Sequence, residues 1–544
     1  MSAVADRRRT ASDERRPERD EVDVRWITDW LRRRGFLKTP PAPPAEQMAL
    51  FGAGRQAAPT PSPALEPEAE DGPIQRSAGG QWLVLVAIVV YVWLFAAWTM
   101  RHHDGLGTQA FDYGLYDQGI WLLSRFKSPF VTLMGRNLFG DHTSFVLLPF
   151  VPVYWVLPSG KVLLFSQAAA LGAGAYPTFL LAREKLRHEM LAAGLAIAYL
   201  LHPTLGWINL EQFHPDVFEV PLALFAIYFM VKERWTPYLV CVVALLLVKE
   251  DVAVLTLGLG VYVALKHDRR IGLITVAMSV LYAAAAFWWV LPALNGVGTL
   301  NTWRIPFGGP WGFFRTSITH PGRVISYLTE KDRLWYVWQL FTPLAFVAFA
   351  APAVLFIGIG ALGSNLVSNF IYQYDIHYHY TSLVYPVVVA ATIFGIVNCT
   401  ATLRGRAALT GLVVLAAAIS AYLWGPTPLG RHEFLPSDPN TAHVQSVRRA
   451  IHLLPHDAVV SAFYGWAPQI DHRDEIYMFP NPWKASYWGT FKQEGKRLPQ
   501  ADRVQYVILP SELGPEPKAV LDSIRAEFDV VYDQEGVLLL KRKS

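Results

Sequence analysis

The sequence predicts a polytopic α-helical membrane protein with a small C-terminal α/β domain. Apolar residues make up 52% of the 544 positions and charged residues only 17%, a composition typical of multi-span membrane proteins. The apolar run 81–98 is long enough to cross a bilayer by itself. From about Pro426 onward the composition is that of a soluble domain. The two cysteines exclude a disulfide or zinc framework, and nothing in the sequence supports nucleic-acid binding.

Residues 1–79 are rich in Arg, Glu, Pro and Ala, which predicts a mostly disordered basic tail on the cytoplasmic side. Within this tail, apolar residues alternate with arginines over 22–37. That pattern fits a short amphipathic helix on the inner leaflet, and it fits a nonspecific tail segment equally well. The run 81–98 lies too far from Met1 to be a cleaved signal peptide.

Ten apolar runs follow the first one, so the transmembrane domain, residues 80–425, is predicted to contain about eleven spans. The ten runs lie near 161–182, 190–205, 215–231, 236–249, 252–265, 271–291, 338–351, 353–370, 381–398 and 407–424. The stretch 143–158 is also apolar, but Pro149 and Pro152 interrupt it. We interpret this stretch as a re-entrant or surface helix.

The charges of the short loops predict the orientation of the chain. Basic loops lie at 183–187, 232–234, 266–270 and 404–406. All four fall on the cytoplasmic side if the N-terminus is cytoplasmic and the chain crosses eleven times, which places the C-terminal domain outside. The long loop 292–336 is also placed outside although it carries five basic residues. Long loops follow the rule less strictly.

The C-terminal segment, residues 426–544, alternates helix-like and strand-like stretches, which predicts a small α/β domain. Helices are predicted at 443–454 and 517–528. Strands are predicted at 458–463 and 504–509, followed by a hairpin of 530–532 and 537–541.

The unusual polar residues of the membrane domain fall in five non-basic loops, all on the predicted outer face. The candidate residues are Asp112 and Asp117; Asp141 and His142; His214 and Asp216; Lys249, Glu250 and Asp251; and His377 and His379. Ionisable residues in or beside spans are costly, and they are candidates for function for that reason. Five loops that converge on one face can build a single polar cavity.

Several of these groups also have a purely structural interpretation. The charges Lys249–Asp251 could mark a tight turn between two short helices, or they could place a carboxylate in the cavity with Lys249 as its counter-ion. His214 and Asp216 resemble a metal-ligand or acid–base pair, but His-Pro-Asp is also a good helix start. His377 and His379 would share a face on a strand and diverge on a helix, so they form a metal pair only in the first case.

Asp112 and Asp117 lie just past the first span, five residues apart, in a segment with an amphipathic pattern. A helix along the membrane surface would present Asp117 toward the cavity. These two acids are therefore the leading catalytic candidates.

Four runs resemble a bacterial family of predicted membrane proteins that has no assigned function. The runs are Phe111–Trp121, Gly140–His142, Phe213–Pro215 and Lys249–Asp251, and the likeness covers roughly 81–420. The family in turn resembles the GT-C glycosyltransferase superfamily by analogy of fold.

The GT-C resemblance implies an inverting transferase that takes a sugar from a polyprenyl-phosphate donor at the outer leaflet. In that superfamily an aspartate of the first outer loop acts as general base, and by position Asp117 is the first choice and Asp112 the second. The superfamily usually shows two adjacent acids there, whereas Gln118 follows Asp117 in this chain. Loop 292–336 matches the loop that helps to hold the donor phosphate, and Arg304 is its leading candidate.

The same resemblance implies a cell-envelope glycan, lipid or protein as acceptor, and the plasma membrane of a bacterium, with its lipids, as location. A divalent metal is compatible with the sequence but not required by it. Two other functions compete with this one. A transporter or flippase for an amphiphile predicts inverted repeats and charges near the bilayer midplane, and we see no repeat. A noncatalytic envelope-assembly protein would use its outer domain to bind a partner.

Overall fold

A computed structural model describes residues 74–75, 77, 79–295, 301–428, 430–487 and 493–543. These residues belong to one compact unit that covers 67–544. The predicted amphipathic segment 22–37 and nearly all of the predicted disordered tail lie outside the described residues.

The membrane part is built from apolar α-helices that follow the predicted runs. The helices are Gly80–Asp104, Lys161–Ala173, Ala175–Leu186, Glu189–Leu201, Pro203–Leu210, Glu219–Val231, Trp235–Leu246, Ala253–Lys266, Arg269–Asn295, Lys331–Phe341, Ile359–Val367, Tyr385–Cys399 and Leu403–Trp424. The prediction of a polytopic α-helical fold is confirmed at this level.

Four of the described helices are long and apolar enough to cross a membrane by themselves. They are Gly80–Asp104, Arg269–Asn295, His379–Cys399 and Leu403–Trp424. The pair Glu189–Leu201 and Pro203–Leu210, bent by 45°, forms a fifth if it is one broken span. The remaining predicted spans are single shorter helices or are divided into several, so the count of eleven stays a prediction.

The predicted span 338–351 is not a single helix. The helix that enters it ends at Phe341, and two short 3-10 turns follow, Thr342–Leu344 and Val347–Ala350. The physical reason is Pro343, which has no N–H group to continue the helical hydrogen bonds. Between the turns, Ala345 and Phe346 have positive φ angles of 50° and 56°.

The stretch 143–158 contains a short apolar helical segment, Phe145–Val156. It is too short to cross a bilayer, in agreement with its exclusion from the predicted spans.

Small residues allow close contact between the helices and the broken segment that follows Phe341. A Cβ atom at Gly258 would lie 2.1 Å from the carbonyl oxygen of Ile357, and one at Gly395 would lie 2.2 Å from that of Val347. Neither position has room for a side chain. This small-residue packing is characteristic of membrane helices, which gain little from hydrophobic burial against each other.

The C-terminal part forms a five-stranded mixed sheet flanked by helices Ala442–His452 and Pro515–Ile524. A hairpin of β1 (Phe130–Val131) and β2 (Arg136–Asn137) precedes it in the chain, and its own strands are β3 (Val460–Ala462), β4 (Ile476–Met478), β5 (Tyr506–Pro510), β6 (Phe528–Gln534) and β7 (Val537–Arg542). The strand order is β4-β3-β5-β7-β6. Strand β3 pairs in parallel with β4 and β5, whereas β7 is antiparallel to β5 and β6. The predicted small C-terminal α/β domain is confirmed, and among its described strands the three-residue β4 is the one that the sequence analysis missed.

The first loop of the membrane part and the C-terminal sheet share one hydrophobic core. Tyr113, Ile120 and Leu133 pack in the same buried cluster as Val460 and Ile508. The sheet is therefore held against the segment that carries Asp112 and Asp117.

Candidate functional site

A cavity of about 970 Å³ lies where the loops of the membrane part meet the C-terminal domain. Ten of the twelve predicted site residues line it. They are Asp112, Asp141, His142, His214, Asp216, Lys249, Glu250, Asp251, Arg304 and His379. Each of the five predicted loops contributes at least one residue, so the loops do converge on one polar cavity. Ser486, Tyr487 and Glu494 of the C-terminal domain complete the wall.

Asp117 and His377 are the two predicted residues that do not line this cavity. The Asp117 side chain is only 3% exposed and faces the C-terminal domain. His377 is hydrogen-bonded to Asp375 at 2.6 Å and lies against the Trp207 ring. Of the two arrangements left open for His377 and His379, the structure shows the one in which the rings diverge, because the chain turns between them and sends the two rings to different partners.

Asp112 lies at a break in the backbone just before helix Leu115–Ser124. Its φ and ψ angles of 68° and −70° are those of a classic γ-turn, which is strained for a residue with a side chain. The turn leaves the carboxylate 35% exposed to the cavity and 3.4 Å from the Nε2 atom of His214. Burial would raise the pKa of Asp112, but the neighbouring His214 outweighs it and lowers this pKa below its usual value. Asp112 is therefore ionised at neutral pH.

Next to Asp112, the imidazole rings of His214 and His379 stack on each other, and Glu211 contacts His379. The His214 and His379 rings stack with their centroids 3.7 Å apart. The Glu211 carboxylate accepts a hydrogen bond from the His379 backbone N–H at 2.6 Å, and burial raises the pKa of Glu211 to about 8. One ligand atom from each of the three residues lies within 4.8 Å of the others, so this trio could hold a divalent metal. Glu211 was absent from the predicted set, although its position three residues before His214 was a visible signal.

The 249–251 segment is both a turn between two helices and a source of charged side chains for the cavity, the two roles predicted for it. Residues Glu250–Val252 form a 3-10 turn between helices Trp235–Leu246 and Ala253–Lys266, and all three charged side chains line the cavity. The Lys249 Nζ atom lies 3.1 Å from Asp216 and 3.7 Å from Asp251.

Glu250 pairs with the adjacent loop instead of with Lys249. It lies 2.7 Å from the Nδ1 atom of His142 and accepts a hydrogen bond from the Thr143 backbone N–H. Burial alone would raise the pKa of Glu250 and lower that of His142. The pairing outweighs burial, so the pKa of Glu250 is lowered and that of His142 is raised. The pairing therefore favours the charged form of both side chains and joins two of the five loops.

Arg304 is the cavity cation best placed for an anionic ligand. Arg136, another cavity residue that the sequence did not reveal, is paired with Asp141 at 2.6 Å, and Lys249 is paired with Asp216. Within the part of the chain that the structure describes, no carboxylate lies within 4.0 Å of Arg304. Its guanidinium lies 4.2 Å from the centre of the Phe370 ring, which fixes it without neutralising it.

The other four basic residues of loop 292–336 do not line the cavity. Arg315, Arg323 and Lys331 are exposed, and Arg333 is buried on the backbone carbonyls of Leu366 and Ser368. Of the five basic residues of this loop, Arg304 is therefore the one that remains a candidate for binding a phosphate in the cavity.

A second polar group, which we call the Asp117 cluster, contains Tyr113, Asp117, Tyr154, Asp471 and His472. Asp117 accepts a hydrogen bond from the Tyr154 hydroxyl at 2.9 Å and lies 2.8 Å from the Nε2 atom of His472. Burial, reinforced by the charge of Asp117, raises the pKa of Asp471 well above its usual value. Asp117 also raises the pKa of His472, although burial opposes this.

The amide of Gln118, which follows Asp117, has a structural role as a hydrogen-bond donor. Its Nε2 atom donates to the Thr132 hydroxyl at 3.0 Å and to the Arg473 carbonyl at 3.2 Å. Thr132 in turn donates to the carbonyl of Ile476 and accepts from its N–H. The Asp-Gln pair therefore docks the loop before β4 onto the membrane part. The run of charged residues at 471–475 marks this loop in the sequence. The sequence does not show that the loop contacts Asp117 and Gln118.

Comparison with known proteins supports both the family and the fold. The crystal structure of ArnT from Cupriavidus metallidurans in the apo state matches with a TM-score of 0.50 at 14% identity, over 85% of this chain and 98% of that chain. A structure of the same protein bound to undecaprenyl phosphate matches with a TM-score of 0.43 at 12% identity, with the same coverage. No curated protein matches the chain in sequence. The apo ArnT likeness shows a shared fold.

The family model described as predicted membrane protein (DUF2079) matches residues 102–539, which is most of the chain. This match includes all five loops of the cavity and nearly all of the C-terminal domain. The resemblance seen in the four sequence runs is thereby confirmed. The chain belongs to the DUF2079 family of predicted membrane proteins.

Proposed function

We propose that this protein is a membrane glycosyltransferase of the GT-C kind, which moves a sugar from a polyprenyl-phosphate donor to a cell-envelope acceptor. The observation that carries the proposal is that one cavity contains both an ionised Asp112 and Arg304. Among the described residues, Arg304 has no carboxylate partner. One group can take a proton and the other can hold a leaving phosphate. ArnT, whose fold the chain shares, is a GT-C glycosyltransferase.

The proposed reaction is a single in-line displacement at the anomeric carbon of the donor. Asp112 accepts the proton of the acceptor hydroxyl as its oxygen forms a bond to that carbon. The bond between the carbon and the phosphate oxygen breaks on the opposite side, so the anomeric configuration inverts. Polyprenyl phosphate leaves with the electron pair, and Arg304 stabilises its developing charge.

The base in this proposal is Asp112, although the sequence position favoured Asp117. Asp117 is buried against Tyr154 and His472 and does not line the cavity. An acceptor hydroxyl in the cavity therefore meets Asp112 first. Ser486, Tyr487 and Glu494 are placed to contact the acceptor or to shape its path, which gives the C-terminal domain a role in acceptor choice.

The test of the proposal is a transfer assay with the purified full-length chain in lipid nanodiscs. A panel of radiolabelled polyprenyl-phosphate sugars is incubated with extracted envelope lipids and glycans, and nucleotide sugars serve as the control donors. Transfer of label from a polyprenyl-phosphate donor, and not from nucleotide sugars, supports the proposal. Failure with every lipid-linked donor, together with movement of labelled lipid across proteoliposomes, would instead show a flippase.

Replacement of Arg304 by alanine is expected to raise the KM for the donor by roughly 10- to 100-fold, because a hydrogen bond to a charged group contributes about 1.5–3 kcal/mol. Arg304→Lys keeps the charge and should recover part of this loss. The measurement is initial transfer rate against donor concentration. Arg315→Ala, an exposed arginine of the same loop outside the cavity, is the matched control. Equal KM values for the two alanine variants would remove Arg304 from the phosphate site.

The proposed outer location of the cavity predicts which loops can be labelled from outside intact cells. In a Cys399→Ser background, a cysteine at exposed His320 should react with a membrane-impermeant maleimide. A cysteine at exposed Arg404, in a predicted inner loop, should react only after the membrane is permeabilised. The reverse labelling pattern would invert the topology and place the site on the cytoplasmic face.

A further inference from the structure

The Asp117 cluster has the side chains of a metal site and lies outside the proposed catalytic cavity. One oxygen of Asp117, one oxygen of Asp471 and one nitrogen of His472 all lie within 4.8 Å of one another. Both aspartates are only 2% exposed. Two carboxylates in such a setting need a cation or a proton between them, because an uncompensated buried charge costs several kcal/mol.

The hydrogen bonds of the cluster leave a fully buried carboxylate oxygen and a fully buried hydroxyl without a partner. Among the described residues, the buried Oδ2 atom of Asp471 and the hydroxyl of fully buried Tyr113 have no hydrogen-bond partner. The adjacent Arg473 does not serve them, since its guanidinium donates to the carbonyls of Ile470 and Ala458. Unsatisfied buried polar atoms of this kind point to a missing ligand.

The surroundings of the three side chains fit a metal better than a shared proton alone. The Tyr154 hydroxyl donates to Asp117 and orients it, as outer partners do for metal-binding carboxylates. The Trp121 ring stacks on His472 at an interplanar angle of 17°, which fixes the imidazole. The His472 side chain is 28% exposed, so an ion can reach the site from solvent. Tetrahedral coordination needs ligand atoms roughly 3.3 Å apart, so only small movements are required.

We propose that Asp117, Asp471 and His472 bind one divalent metal ion, Zn²⁺ or Mn²⁺, which joins the C-terminal domain to helix Leu115–Ser124. Mixed carboxylate and imidazole ligands suit these two ions. The ion would reinforce the contacts that Gln118 makes with the same loop. This site is separate from the Glu211–His214–His379 trio and does not depend on the proposed transferase function.

The test is metal content and thermal stability of the purified full-length chain, and it needs no activity assay. The protein is stripped with a chelator, dialysed against Zn²⁺ or Mn²⁺, and analysed by mass spectrometry for bound metal. We expect one equivalent to be retained at this site, with a higher Tm than the stripped protein because the ion binds only the folded state. Asp471→Asn and His472→Gln should each lose this equivalent and this gain in Tm.

Two control variants separate this site from other metal binding. Asp474→Asn changes an exposed carboxylate of the same loop, paired with Lys127 at 2.5 Å, and should keep the ion. Glu211→Gln changes the cavity trio and should also keep the equivalent that Asp471→Asn loses. A wild-type protein that retains no ion, or an Asp471→Asn variant that retains as much as wild type, would overturn the proposal.

A gain-of-signal variant excludes misfolding as an explanation for lost metal. His472→Cys loaded with Co²⁺ should show a thiolate-to-cobalt charge-transfer band, because a cysteine thiolate replaces the imidazole as ligand. Wild type is the blank, since it holds Cys241 and Cys399 but no thiol in the cluster. Absence of the band in a monodisperse His472→Cys protein would show that position 472 does not bind metal.

Discussion

Replacement of Asp112 by asparagine is expected to lower the rate of sugar transfer by roughly 10²- to 10⁴-fold, the usual contribution of a positioned general base. Asparagine has nearly the same shape and can keep the position beside His214, but it cannot take the proton of the acceptor. The loss should therefore appear in kcat at saturating donor, with a smaller change in KM. The measurement is the radiolabel transfer assay at several donor concentrations.

Asp375→Asn is the matched control for this experiment, because Asp375 is an aspartate of a neighbouring loop that does not line the cavity. Its rate should stay within a few-fold of wild type. An Asp112→Asn protein with wild-type kcat would exclude Asp112 as the base. If Asp117→Asn abolished transfer while metal content and Tm stayed at wild-type values, the base would be Asp117 instead.

Replacement of Lys249 by methionine is expected to destabilise the protein by about 3–5 kcal/mol, the usual effect of removing one partner of a buried ion pair. Lys249 and Asp216 are both 5% exposed, and the Lys249 Nζ atom lies 3.1 Å from Asp216. Methionine fills a similar volume, so the main change is a buried carboxylate without a counter-ion. The measurement is unfolding of the purified protein in one detergent, compared with wild type.

The double variant Lys249→Met/Asp216→Asn tests the cause of this loss. Removal of both charges should recover much of the stability, because the cost comes from the unpaired carboxylate and not from the missing amine. Lys331→Met, at an exposed position, should change stability by no more than about 0.5 kcal/mol. A double variant as unstable as the single one would show that Lys249 acts through packing instead.

The membrane fold and the identity of the polar loops were predictable because they depend on local sequence. A long run of apolar residues predicts a membrane helix whatever the rest of the chain contains. The alternating pattern after Pro426 predicts strands in the same way. Ionisable residues beside such runs are conspicuous for the same reason. Nine of the residues chosen on this basis line the cavity, together with Arg304, which was chosen from the GT-C resemblance.

The pairing of charges was not predictable, because the partners are far apart in sequence. His379 reaches Glu211 across 168 positions, and His472 reaches Asp117 across 355. A histidine next to an acid in the sequence does not reveal which acid it will meet after folding. The spacing of His377 and His379 likewise left open whether they share a face, and only the fold shows that their rings meet different partners.

The choice between Asp112 and Asp117 shows where the limit lies. The sequence established that two acids follow the first span, and the resemblance to GT-C enzymes indicated that one of them acts as base. The sequence could not show which of the two lines the cavity, because the γ-turn at Asp112 departs from the regular helix that the pattern predicts. The contact of Asp117 with His472 joins residues 355 positions apart, so it forms only when the C-terminal domain packs against the first loop.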